Sequence, residues 1–133
     1  MALHGLGDLR QALKDVDKPF NNHLEGIYLQ GLGNIAGGTP VDEGRAKGNW
    51  FLKENRPSTE TTASTNGGDD LDKMPQWVLG KHLYYSNNMP YINKLEYGGY
   101  GDGPKTIGGY SDQAPSGWVR KELLIMRAGI RRI

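Results

Sequence analysis

A chain of 133 residues with a net charge of +1, 36% hydrophobic residues and 20 glycines can build one modest core, joined by long irregular connections. It has no cysteine, which excludes disulfide scaffolds, thiolate metal sites and thiol catalysis. The near-balance of charge excludes a global field that would draw the whole chain to nucleic acid or to a membrane.

Charge is nonetheless uneven along the chain. Between Glu54 and Lys73 five acids stand against two bases, and between Arg120 and Ile133 five bases stand against one acid. That polarity suits subunits meeting head to tail, as well as ordinary solvated faces. The first residues lack the basic start and apolar run of a signal peptide, and no window approaches the ~18 apolar residues of a membrane span. Synthesis in the cytoplasm as a soluble protein, without membrane contact, is the expectation.

Leu6, Leu9, Leu13, Val16 and Phe20, then Leu24, Ile27 and Ile35, recur at steps of three and four, the spacing of one helical face. Pro19 sits inside this pattern, and proline is poorly tolerated in a helix interior. The spacing therefore predicts a helix from about Leu6 to Val16, a break near Asp17, and a longer helix from about Pro19 to Ala36. Gly37 and Gly38 supply a C-cap and Pro40 prevents continuation.

Asn49 to Leu52 has strand composition, ended by Arg56-Pro57. Ser58 to Lys73 is a polar loop too long for an ordinary connection, so it is either mobile or used for contact. Trp77 to Ser86 reads as a second strand, after which Asn88 is placed to cap a short helix carrying Ile92 and Leu95. Gly98-Gly99-Tyr100-Gly101-Asp102 recurs as Gly108-Gly109-Tyr110-Ser111-Asp112, which reads as a looped-out insertion or a hairpin. A last helix runs from about Ser116 to Ile130 on Val119, Leu123, Met126 and Ile130. The whole, residues 1–133, reads as a single α+β domain: a long N-terminal helix broken near Pro19, a small antiparallel sheet, two shorter helices and two long loops.

Candidate chemistry is sparse. His4, His23 and His82 are scattered and none has a second histidine at the helical zinc spacing. Gly31-Leu32-Gly33-Asn34-Ile35-Ala36 matches a dinucleotide fingerprint formally. The segment after it, Gly37-Gly38-Thr39-Pro40, cannot be the helix whose N-terminus would hold a pyrophosphate. Asp69, Asp70 and Asp72 lack the calcium-loop spacing and fit a solvated loop. Tyr97, Tyr100 and Tyr110 resemble base-stacking platforms but have only Lys105 nearby, so packing or a subunit contact fits better. No catalytic, cofactor-binding or metal-binding residue is assigned, and an enzyme is not expected. Arg127, Arg131 and Arg132 near the C-terminus suit helix-end stabilisation with a salt bridge to a neighbour's acidic loop, or weak contact with DNA.

Three blocks carry a resemblance. Thr39-Pro40-Val41-Asp42-Glu43-Gly44-Arg45, followed by Trp50, is similar to a "TPVDTGR…W" stretch. Asn87-Asn88-Met89-Pro90-Tyr91, followed by Leu95-Glu96-Tyr97-Gly98, is similar to "N-N-x-P-Y-A…L-E-x-G". Ser111-Asp112-Gln113-Ala114-Pro115-Ser116-Gly117-Trp118-Val119-Arg120 is similar to "S-x-Q-A-P-x-G-x-V-R". These are stretches of the tail-completion (neck) proteins of long-tailed bacteriophages, related to the minor tail protein Z group of lambda-like phages. The blocks occur in the family's order. Glu43 departs from the usual Thr or Ser, Ile92 replaces a small residue, and the repeated Gly-Gly-Tyr segment looks like an insertion.

The resemblance implies a non-enzymatic virion protein that completes the tail and helps join it to the DNA-filled head. It implies copies arranged in a ring, six-fold favoured, touching the tail terminator, tail tube or head-closure proteins, with no more than weak, non-specific contact with phage DNA. A tail-terminator or head-closure role is the near alternative. A nucleic-acid-binding module using the basic C-terminal helix is the alternative of another class. In turn chemistry alone, Asp42 suits a backbone-bonding turn, Gly44 a positive φ, and Arg45 an ion pair with Asp42 or Glu96.

Overall fold

The computed structural model describes residues 5–41 and 45–132. Along them run α1 (Leu6–Gly38), α2 (Arg45–Gly48), β1 (Trp50–Glu54), a 3-10 turn (Asp69–Lys73), β2 (Leu83–Asn87), α3 (Ile92–Tyr97), β3 (Thr106–Ile107), β4 (Tyr110–Ser111) and α4 (Val119–Ile130). The architecture is α+β, with a long N-terminal helix, a small antiparallel sheet and a C-terminal helix. No helix among the described residues is long and apolar enough to cross a membrane.

The expected break near Asp17 does not occur: α1 runs unbroken through Pro19. Proline removes the N–H that would bond the Asp15 carbonyl four residues back. Asp15 and Pro19 are both exposed, so water can take that carbonyl in place of the missing donor. Nor do Gly37 and Gly38 end the helix. Both stay helical, and Thr39 caps it, its N–H bonding the Ala36 carbonyl and its hydroxyl the Ile35 carbonyl at 2.8 Å.

α4 packs antiparallel against the second half of α1. Gly129 meets Ile27, Met126 lies on Gly31, and Glu122 accepts a hydrogen bond from Asn34 at 3.1 Å. A Cβ on Gly31 would stand 2.4 Å from the Met126 sulfur, so any larger residue would force the Met126 side chain to move. Ile35, Ala36 and Met126 are buried there. α4 begins at Val119 rather than Ser116, because Gly117 turns the chain at φ 80° first.

β1 and β2 pair antiparallel with Trp50 opposite Asn87, Leu52 opposite Tyr85 and Glu54 opposite Leu83. The Trp50 and Tyr85 rings stack with centroids 5.2 Å apart. The second strand is shorter than its apolar run, since Trp77 to Lys81 lies outside the ladder. Asn21 of α1, itself buried, takes the N–H groups of Val78 (2.7 Å) and Leu79 (3.2 Å) and donates to the Gln76 carbonyl at 2.7 Å. The chain then turns at Gly80, φ 75°. Those backbone groups are spent on a helix side chain and cannot pair with β1.

The polar loop after β1 is tethered by amides in place of apolar anchors. Asn49 exchanges two bonds with the Thr62 backbone (2.8 and 2.9 Å), and Asn88 donates to the carbonyls of Ser58 and Glu60. Asn88 is thus not the cap of α3, which has no side-chain cap at its start. The glycine-rich repeat is a hairpin: β3 and β4 join through Gly108 and Gly109, both at positive φ as a tight two-residue turn requires. Beside nine aliphatic residues and methionines, five polar residues are buried among those described, so polar side chains are a structural part of this core.

Candidate functional site

The three motif blocks, far apart in sequence, meet around the end of α1, the start of α4 and α3. At the exit of α1, the Thr39 hydroxyl accepts the Trp50 indole N–H at 2.9 Å, and the Ile35 carbonyl accepts the Trp118 indole N–H at 2.8 Å. Pro40 is buried. Val41 then pairs with the side chain of Gln113, its N–H donating to Oε1 (2.7 Å) and its carbonyl accepting from Nε2 (2.6 Å). One glutamine imitates a strand neighbour and fastens the third block to the first. Asp42 and Gly44, and the turn expected of them, lie outside the described residues.

In the second block, Asn87 donates to the Ala46 carbonyl at 2.7 Å and accepts the Met89 N–H. Pro90 and Tyr91 lead into α3, which buries Leu95 and Glu96. Gly98 follows at φ 83°, its N–H closing on the Lys94 carbonyl, with the Tyr110 ring packed where a side chain would begin.

Glu96 is the centre of the arrangement. Its Oε1 accepts the N–H groups of Trp118 (2.7 Å) and Val119 (2.8 Å). Its Oε2 accepts the N–H of Arg120 (3.1 Å) and that residue's Nε (2.6 Å). The Arg120 Nη2 returns to the Glu96 carbonyl at 2.9 Å, and the guanidinium lies 4.6 Å from the Tyr97 ring centroid. α4 has no cap of its own, so a carboxylate borrowed from α3 satisfies its first donors and complements its dipole. Burial pushes the Glu96 carboxyl up, but Arg120 and the three N–H groups outweigh it and hold the pKa below its ordinary value. Gly117 makes the contact feasible, since a Cβ there would stand 2.5 Å from the Glu96 carbonyl oxygen. Ala114 is buried beneath the turn that Pro115 enters.

The expected pairing of Arg45 with Glu96 is therefore incorrect: Arg120 holds that carboxylate, and the Asp42 alternative falls outside the described residues. Arg45 opens α2 and lines, with Val41, Tyr91, Leu95, Tyr100 and Gln113, a cleft of about 420 Å³ beside the hairpin. Arg127, Arg131 and Arg132 are exposed at the end of α4. Of the acidic loop, Asp70 is committed within the chain, to the Leu52 N–H and to Lys73 at 2.7 Å, while Asp69 and Asp72 are exposed. Among the described residues no three His, Asp or Glu side chains are grouped to hold a metal ion.

Among the described residues, Thr39, Trp50, Asn87, Glu96, Gln113 and Arg120 thus act on one another and on backbone, whereas Arg45 lines the cleft. Sequence reasoning missed the Glu96 clamp and the roles of Asn21 and Asn49, whose partners lie up to 58 residues away. Comparisons with family models, with curated proteins and with solved structures returned no match.

Proposed function

We propose that the chain is a non-enzymatic structural protein of a long-tailed bacteriophage, acting at the neck or tail end to complete the tail and join it to the DNA-filled head. The observation that supports this reading is the use made of the family-like residues. Gln113 on Val41, Glu96 on Trp118 to Arg120, and Trp50 on Thr39 lock the three blocks into one frame. Their polar groups are satisfied internally, as a scaffold requires, and are not poised toward a substrate.

An assembly role also accords with the surface. Leu123, Leu124 and Ile125 of α4 are exposed, an apolar load that ring contacts between subunits would cover. On this reading copies form a ring, six-fold to match a tail tube, bound to tail-terminator, tube or head-closure proteins. The test is imaging of particles made with and without the gene. Tails lacking heads, or heads lacking tails, are expected in its absence, and normal infectious particles would refute the proposal.

The exposed Arg127, Arg131 and Arg132 favour a second reading, a nucleic-acid-binding module. Duplex binding by the purified protein tighter than about micromolar at physiological salt would favour it over the neck role.

A further inference from the structure

The apolar positions in the first half of α1 step by three and four without exception: Leu6, Leu9, Leu13, Val16, Phe20. That is the a/d repeat of a coiled-coil seam, narrower than the stripe of a helix lying on a globular core. All five are 45% to 67% exposed, and of residues 5–20 only Ala12 is even half-buried. Lys14 reaches over the Trp77 ring from another side of the helix. A helical stretch of this length is marginal in water by itself, and Gly7 and Pro19 weaken it further. Its helical state calls for a partner along the seam.

We infer that this partner is the same stretch of a second copy, packed antiparallel across a two-fold axis. Three observations select that occupant. First, the same stripe further along α1, through Ile27, Gly31 and Ile35, already packs an antiparallel helix, α4. α4 ends against His23, whose ring lies 3.3 Å from the Gly129 carbonyl, so the open seam begins where α4 stops.

Second, an antiparallel register places Leu13 opposite the second copy's Val16, Leu9 opposite its Phe20, and Leu6 opposite its His23. The incoming helix, described from Leu6, lies along the open seam and places that residue opposite His23, where α4 stops. Third, this register sets charge against charge. Arg10 and Asp17 occupy the flanking e positions, and antiparallel pairing brings each near the other's counterpart, giving two reciprocal ion pairs. A parallel pair brings no such match. On the other flank stand Ala12 and Pro19, small enough for close approach.

The area suffices. The five side chains expose on the order of 500 Å² per copy, so a pair buries on the order of 1,000 Å², the threshold of a specific interface. A two-fold pair closes on itself and is a different contact from the one that builds a ring. Either can therefore fail while the other stands.

Sedimentation of the purified full chain from about 1 to about 200 µM tests the pairing, with a dimer of about micromolar dissociation constant expected. Leu13→Asp should weaken it at least about thirtyfold, far-UV circular dichroism reporting on folding. Arg10→Asp and Asp17→Arg, both exposed, should each weaken self-association about tenfold, by facing like charges. Mixing these two variants should restore wild-type affinity, because the mixed pair sets opposite charges together at both ends. A monomeric wild type across the range overturns the inference. So does a dimer indifferent to Leu13→Asp, or a mixture of the charge variants that binds no better than either alone.

Discussion

Replacing Glu96 with alanine removes the acceptor for three backbone N–H groups and for Arg120 in one step. Loss of an ordinary helix N-cap costs about 1 kcal/mol. Stripping one member from a fully buried ion pair costs about 3–5 kcal/mol. Glu96 is 7% exposed but Arg120 is 49% exposed, so water recovers most of the guanidinium side and the larger figure is discounted. The expected cost is about 3 kcal/mol, or about 10 °C in Tm for a chain of this length. Glu96→Gln keeps an acceptor for Trp118 and Val119 but turns an amide NH₂ toward the donors of Arg120, for about 2 kcal/mol. Arg120→Ala leaves all three backbone bonds intact and removes only a solvent-screened partner, so it should cost clearly less than either Glu96 variant.

Urea titration of the three variants gives the order. If Arg120→Ala is as damaging as Glu96→Ala, the ion pair and not the borrowed cap holds α4, and the reasoning fails. The pH dependence is a second check. A carboxyl whose folded pKa lies below its unfolded value of about 4.3 contributes fully above that value, and the contribution fades as pH falls through the folded pKa. Wild-type stability should fall more steeply with acid than that of Glu96→Gln.

Asn21→Ala leaves the backbone groups of Gln76, Val78 and Leu79 without their partner and should cost about 3 kcal/mol in denaturant titration. It should also speed amide exchange at Val78. Tyr85→Phe removes a buried hydroxyl that has no hydrogen-bond partner, so thermal melting should show no loss and a gain of up to about 1 kcal/mol. Gly117→Ala puts a methyl against the Glu96 carbonyl at φ 80° and should destabilise by more than about 2 kcal/mol, read by the same melts.

Periodicity made α1 and α4 legible, because the apolar steps along each are local and dense. The same steps did not reveal that Pro19 would be tolerated: a rule about helix interiors presumes a carbonyl deprived of water, and Asp15 is exposed. β2 was overextended because Trp77 and Val78 are apolar, yet their backbone is claimed by Asn21, an amide that in sequence looks like any solvated helix residue. Asn88 illustrates the same gap, its cap-like position being overridden by two loop carbonyls. The motif residues were legible as turn-formers, which Gly98 and Gly117 are. That Glu96 would cap a helix starting 23 residues later was not legible, since capping rules look only to adjacent positions.

The borrowed cap also orders events in time. A nascent chain emerges N-terminus first, so α1 and α3 are available before Trp118 to Arg120 leave the ribosome. Until then the Glu96 carboxylate lacks its donors, and the groove around Gly31 lacks Met126. The arrival of α4 supplies both and closes the frame. A chain cut short before Trp118 would carry an unmatched charge and a bare apolar groove, marks by which quality control can tell an unfinished molecule from a finished one.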